Sequence, residues 1–430
     1  MIQELKISNF LSFKDEVTFS FEATRDTTFE DYQVVEVAKG VRLLRFAVLY
    51  GANASGKSNL IKAFEFLHDF WFETKKNITE KTGTLPFKLD RETPKQPSSF
   101  SLRFYVEGAR YWYQLDIDEN RVHSEKLYFY SSVQPTLLFE RVLSNNVSKV
   151  SFNQVVVKIS PAAKEEINLK CLPNISFFAA RNQVNVALPL IDAARDWMNQ
   201  RVLDPINPDS AMFEFAEGVI QKDEILKKHL LDFVKEADFN ITDIKSKTEK
   251  QDISTDFLDL IIKSGNFSEE EKERLKEEKT FTRISTDFEH TVINQSGTET
   301  YFIPENNESE GTRRITGVQT ALYMTLDANA FLAIDEIESS LHPDLIVYLL
   351  KKFLEKKNNR AQLLIATHYD PLLNQTDELF RKDSVWFTDK NKAGSTELYS
   401  LVEFNGLNRI ASLQKAYRQG RFGAIPRINL

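Results

Sequence analysis

Three short stretches of this 430-residue chain carry residue types suited to phosphate chemistry. The first is Gly51-Ala52-Asn53-Ala54-Ser55-Gly56-Lys57-Ser58-Asn59. Its G-x-x-x-x-G-K-[ST] spacing lets successive backbone N–H groups turn inward as a nest for phosphate oxygens, with Lys57 as a cation reaching the outer phosphates and Ser58 as a hydroxyl ligand for Mg²⁺. Gly51, Asn53, Ser55, Gly56, Lys57, Ser58 and Asn59 are therefore the candidate phosphate-binding residues. The second stretch is Asp335-Glu336, where Asp335 suits the Mg²⁺ shell and Glu336 suits a base for an attacking water. The third is Thr367-His368, where the imidazole can donate to a terminal phosphate or hold that water.

Those residues need a scaffold, and the flanks supply one. Leu43–Tyr50 is an apolar run that reads as a buried strand, and Leu60, Phe64, Leu67 and Trp71 lie on one face of a following helix. A helix N-terminus after a glycine-rich turn adds unpaired donors and a favourable dipole. Asp335 and His368 each follow a short apolar run, Phe331–Ile334 and Leu363–Ala366, the places where ligands meet the C-terminal ends of a parallel sheet. Between these sites, Glu308-Ser309-Glu310-Gly311-Thr312-Arg313-Arg314 precedes a helix with Ile315, Val318, Ala321, Leu322 and Met324. Ser309 and Gly311 stand where a helix presents N–H groups to an anion, and equally where a plain N-cap stands.

The bounds are those of an ordinary globular protein: 42% hydrophobic, 27% charged, 33 phenylalanines and a single cysteine, Cys171. One cysteine excludes a disulfide framework and fits a reducing compartment. No apolar run is long enough to span a bilayer and no leader pattern opens the chain, so the expectation is a cytoplasmic protein without membrane contact. A net charge of −8 weighs against a surface built for nucleic acid, while leaving room for a local DNA contact.

Along the chain, Ile2, Leu5, Ile7 and Phe10, then Val17, Phe19 and Phe21, alternate as strands around a bend at residues 9–13, an expected antiparallel lead-in to the sheet that carries the phosphate loop. Residues 83–98 are loop-like. Three alternating runs, Phe100–Val106, Tyr111–Ile117 and Val122–Tyr130, form a meander. Residues 210–236 have helical periodicity, and the charged run 268–279 reads as a solvated helix or connector. From about 281 the pattern returns to short buried strands separated by helices, including Val385–Phe387. The expected division is 1–130 (phosphate loop and meander), 131–280 (a mixed, mainly helical insert) and 281–430 (the second half of the nucleotide domain).

The order of phosphate loop, Ser-Glu-Gly-Thr turn, Asp-Glu strand, Ser339–Asp344 turn and Ala-Thr-His strand resembles the ABC-type ATPases, in the group of the SMC, Rad50, RecF and OLD-like proteins. The opening Ile7–Phe13 is similar to that group's first strand. Gly51–Leu60, Pro86–Asp90, Glu308–Arg314, Leu341-His342-Pro343 and Arg421–Pro426 look like the abortive-infection, or RloA-like, ATPases of anti-phage defence. The resemblance covers residues 1–130 and 281–430. It implies an α/β P-loop NTPase fold with an antiparallel β subdomain, Mg²⁺ and ATP as cofactors, and a homodimer or higher homo-oligomer in which Ser309 and Gly311 of one subunit close on ATP held by the other. Two departures stand out: Ser-Glu-Gly-Thr replaces the ABC Ser-Gly-Gly-Gln, and no glutamine stands out for the Q-loop.

The residues after His368 are too few for an OLD-type nuclease domain, so an effector (a nuclease or toxin) is expected on a separate chain, with a phage-derived trigger. The alternative is a RecF-like repair ATPase that clamps DNA. A P-loop kinase would leave Ser309–Arg314 and His368 without a role.

Overall fold

The computed structural model describes residues 1–237, 240–252, 273, 280–376 and 378–426. All of the charged run 268–279 except Glu273 lies outside the described residues.

Ile2–Ser8 (β1) buries alternate side chains, the pattern of a strand with one face on the core. It pairs antiparallel with Val17–Ser20 (β2) on one side and Ser98–Val106 (β6) on the other. Hairpins continue from β6 through Ala109–Ile117 (β7), Val122–Tyr130 (β8), Thr136–Ser144 (β9) and Val147–Phe152 (β10). The β6–β7 reversal uses Glu107 and Gly108 at φ 49° and 86°, the left-handed pair that a tight two-residue hairpin needs. The product is a seven-stranded antiparallel sheet in the order β10-β9-β8-β7-β6-β1-β2. This corrects the expected place of the N-terminal strands. Their period-two pattern suits a sheet with one watered face, so they join the meander rather than the sheet of the phosphate loop.

That second sheet is built differently. Phe46–Gly51 (β5), Phe331–Ile334 (β14) and Gln362–Thr367 (β15) are buried at every position, as strands covered on both faces must be. With Val385–Lys390 (β16) and Thr396–Ser400 (β17) they form a five-stranded sheet ordered β14-β15-β5-β16-β17, parallel except for β17. Val202 and Ile206 bridge in parallel to Phe331 and Ile334, extending the β14 edge.

The apolar run expected as one strand breaks at Arg45, between β5 and the hairpin Val34–Ala38 (β3) and Val41–Leu44 (β4). The Arg45 guanidinium is buried without a carboxylate partner among the described residues. It donates instead to Tyr32 O at 2.8 Å, Lys356 O at 2.7 Å and Phe353 O at 3.2 Å. The last two lie at the end of the helix Pro343–Leu354, whose orphan carbonyls and negative dipole end favour a cation. Burial brings this guanidinium down to about 10.

Lys57–Phe72 (α2, after the single turn Glu30–Gln33, α1) buries Leu60, Phe64, Leu67 and Trp71 as its spacing requires. Phe64 meets Phe331 of β14 at 4.8 Å between ring centroids, while Phe66 stacks on Phe100 of β6 at 5.0 Å. One continuous core thus takes in residues of both sheets and α2. Pro161–Lys170 (α3), Phe177–Arg181 (α4) and Pro189–Arg201 (α5) pack on the same core. Trp71 stacks on Phe178 at 3.8 Å, and Phe104 on Trp197 at 4.2 Å.

The chain divides into two compact units, one of Met1–Asp209, Met324–Ser339 and Ile346–Leu430, the other of Ser210–Tyr323 and Ser340–Leu345. The second unit contains Met212–Ile220 (α6), Glu224–Glu236 (α7) and an antiparallel sheet of Ile241–Asp252 (β11), Thr280–Asn294 (β12) and Gly297–Pro304 (β13). Glu310–Ala328 (α8) begins in it. Gly317 of α8 lies so close to α6 that a Cβ there would stand 2.5 Å from Met212 O. No described helix is long and apolar enough to cross a membrane.

Candidate functional site

The loop between β5 and α2 is shaped by its two glycines for different reasons. Gly56 caps α2 at φ 115°, and a Cβ there would stand 2.3 Å from Thr396 Oγ1. Gly51 has ordinary dihedrals. What requires glycine is the approach of β16: an added Cβ would lie 2.4 Å from Thr388 Oγ1 and 2.5 Å from Thr388 O. Ala54 also adopts a left-handed conformation, at φ 60°.

Threonines of β16 and β17 then brace the loop from behind. Ser55 is buried with its hydroxyl 2.6 Å from Thr388 Oγ1, and Thr396 Oγ1 lies 2.7 Å from both Ser55 O and Ser12 Oγ. Asn59 donates to Ser12 Oγ at 2.7 Å. The side chains of Ser55 and Asn59 therefore hold the loop to its neighbours, while Asn53 is exposed on its outer turn and Ser58 is half-buried at the start of α2.

Sheet order brings the three sequence stretches together. β15 lies between β5 and β14, in parallel with both, so Lys57, Asp335-Glu336 and His368 all emerge at the same edge. Lys57 Nζ is 3.0 Å from His368 Nε2 and 3.3 Å from Nδ1, and donates to Gly51 O at 2.9 Å and Ala52 O at 3.3 Å. His368 Nε2 is 3.9 Å from Glu336 Oε1. Burial brings Lys57 down to about 8 against the opposing pull of Asp335, Glu338 and Glu336. Burial, then the Lys57 charge, hold His368 below its usual value.

Asp335 is buried, its backbone N–H tied to Ile206 O at 2.8 Å. Its Oδ1 has no hydrogen-bond partner among the described residues. Glu336 turns outward at φ 48°, its side chain 45% exposed. Two residues on, Glu338 accepts from Thr367 Oγ1 at 2.7 Å and from the His368 N–H. Sequence reasoning passed over Glu338, although it belongs to the same acidic run as Asp335 and Glu336. It also passed over Ser12, Thr388 and Thr396, for which no local motif exists.

Ser309 and Gly311 belong to the second unit. Ser309 Oγ accepts the Thr312 N–H at 3.0 Å, the N-cap geometry foreseen for it. Gly311 lies in the first turn of α8, and a Cβ on it would stand 3.0 Å from Ser340 O.

Residues 46–155 and 196–374 match the model of the family described as "AAA domain, putative AbiEii toxin, Type IV TA system". No curated protein matches. Among solved structures, the chain is similar to an SMC head bound to the C-terminal winged-helix domain of ScpA, with 11% identity over 96% of this chain and 99% of that one and a TM-score of 0.43. It is also similar to the SMC head domain from Thermotoga maritima, with 12% identity over 93% and 98% and a TM-score of 0.39. The family match takes in well over half of the chain, including the phosphate loop, Asp335, Glu336 and His368. The chain belongs to this AAA-domain family and is a P-loop ATPase.

Proposed function

We propose that the chain is a Mg²⁺-dependent ATP switch, the sensor and scaffold subunit of a cytoplasmic anti-phage system that restrains or releases a separately encoded nuclease or toxin. The observation that carries the switch chemistry is the convergence of Lys57, Asp335, Glu336 and His368 at one sheet edge. The defence role rests on the family's description, which speaks of an AbiEii toxin and a toxin–antitoxin system for that family.

The residues fit the cofactors. A buried Asp335 oxygen without a partner among the described residues and the Ser58 hydroxyl form an all-oxygen donor set suited to Mg²⁺, which would neutralise charge on the outer phosphates. Gly51–Lys57 backbone N–H groups and the Lys57 ammonium hold the phosphates, Lys57 leaving the Gly51 and Ala52 carbonyls to do so. Glu336 takes the proton of the attacking water. His368, neutral at pH 7, donates one N–H to the γ-phosphate and orients through its ring. Ser309 and Gly311 supply helix N-terminal donors to ATP on a second copy, so that the site is complete only in a homodimer and turnover couples to assembly.

The test is a pull-down of tagged Glu336→Gln from its own host with ATP present, read by mass spectrometry. A nuclease-like or toxin-like protein in the eluate supports the defence switch. Recovery of DNA with repair proteins overturns it in favour of a DNA clamp.

A further inference from the structure

Glu338 stands beside the reacting groups but spends its carboxylate on the backbone that carries one of them. Its Oε2 accepts from the buried Thr367 hydroxyl at 2.7 Å and its Oε1 accepts from the His368 N–H. Thr367 Oγ1 accepts in turn from the Tyr369 N–H at 2.9 Å. These bonds occur where regular support ends. β15 stops at Thr367, so His368 is the first residue past the parallel ladder. The direct backbone link there, Ile337 N–H to Ala366 O, is long at 3.4 Å. On the other side, Glu336 holds a left-handed conformation at φ 48° and its carbonyl accepts the Ser339 N–H at 2.9 Å, closing a tight turn that contains Glu338. The turn that aims Glu336 is thereby tied through Glu338 to the strand end that aims His368.

We infer that Glu338 is a positioning residue for ATP hydrolysis: its carboxylate bridges the Glu336–Ser339 turn to the end of β15 and so keeps His368 in register with Glu336 and Lys57. The inference rests on the roles given above to Glu336 and His368. Both Glu338 oxygens accept, so the group acts as a carboxylate. A carboxamide in its place keeps one oxygen on the His368 N–H and turns its NH₂ toward Thr367 Oγ1, whose hydroxyl can rotate to receive it. An alanine leaves both donors without a partner. Removing a carboxylate that merely stabilised the turn would lower the melting temperature of the protein without singling out His368.

The experiment is a double-mutant cycle on the full chain, reading kcat, KM for ATP, ATP binding and melting temperature for Glu338→Ala, Glu338→Gln, His368→Ala and the Ala/Ala double variant. Glu338→Ala should lower kcat about tenfold or more with KM nearly constant, since small misplacement of a reacting group is costly. Glu338→Gln should recover most of that loss. In the His368→Ala background the same Glu338→Ala change should cost less than about twofold, because residues acting through one another are not additive. Full, multiplicative loss in that background overturns the inference and leaves the role of His368 standing. Wild-type turnover by His368→Ala overturns the role of His368 itself, and the inference with it. Should Glu338→Ala fold poorly, the cycle is run with Thr367→Val, which removes one of the two donors and keeps its shape.

Discussion

The Lys57 ammonium lies almost equidistant from the two ring nitrogens of His368, 3.0 Å from Nε2 and 3.3 Å from Nδ1, although 311 residues separate them in sequence. Adjacent parallel strands make the meeting: Tyr50 of β5 pairs with Thr367 of β15, and each strand then delivers its functional residue past the same edge. Burial disfavours the charged form of both groups, and the Lys57 cation further disfavours a charge on His368. Each therefore has a pH signature.

For Lys57, burial brings the free protein's ammonium to about 8, and the phosphates of ATP would favour the charged form again. A group that titrates at about 8 when free and higher when bound takes up a proton on binding. Uptake should rise from about 0.1 proton per site at pH 7 to about 0.9 at pH 9, as follows from one titrating group. Calorimetry in buffers of unlike ionisation enthalpy measures it. Uptake that stays flat across this range would contradict the placement of Lys57 at the phosphates.

For His368, a value held below the usual histidine range keeps the ring neutral at pH 7. Turnover should hold steady as pH falls toward 6.5 and decline only below it, as the ring takes on a charge next to Lys57. His368→Gln should lower kcat about 10²-fold, the scale of losing one positioned donor, and should flatten the acidic limb. Steady-state rates from pH 5.5 to 8.5 decide this. An acidic limb that survives unchanged in His368→Gln would assign it to another group.

Stability away from the site depends on a buried ion pair in the antiparallel sheet. Glu125 of β8 and Arg141 of β9 have fully buried side chains 3.1 Å apart. Tyr113 and the Phe177 N–H donate to Glu125 at 3.0 Å and 2.8 Å, while Arg141 reaches Leu172 O at 2.7 Å. Burial pushes the Glu125 carboxyl up and the Arg141 charge pulls it back. Arg141→Met alone strands a buried charge and should cost about 3–5 kcal/mol in urea denaturation. Arg141→Met with Glu125→Leu removes both charges and should cost less than the single change. A double variant less stable than the single one would show that the pair contributes through more than its mutual neutralisation.

The convergence of Lys57, Asp335, Glu336 and His368 was more legible than the fold around it. G-x-x-x-x-G-K-S between an apolar run and an amphipathic helix marks the glycine-rich loop, and two apolar runs ending in Asp-Glu and Thr-His mark the strands that deliver Asp335, Glu336 and His368 to the edge where Lys57 stands. The motif alone does not say why Gly51 must be glycine: close approach of Thr388 is what requires it. Contacts of that kind come from β16 and β17, over 330 residues away, and no local pattern encodes them. β1 and β2 were placed on the wrong sheet although their alternation already argued for a half-watered one. Arg45 interrupts an otherwise apolar run, and its reason, the carbonyl ends of the helix Pro343–Leu354, becomes visible only when the chain is folded. Glu338 lay in view, but its partners Thr367 and His368 are 29 and 30 residues further on.

In the proposed function, Glu336 completes a hydrolytic site that closes only when ATP brings subunits together. Glu336→Gln, purified with Mg²⁺ and ATP, tests it by light scattering of the eluted particle and chromatography of its extracted nucleotide. Turnover should fall by about 10²-fold or more, leaving a stable oligomer that carries ATP rather than ADP. Unchanged turnover, or a protein that stays at one mass with and without ATP, would contradict it.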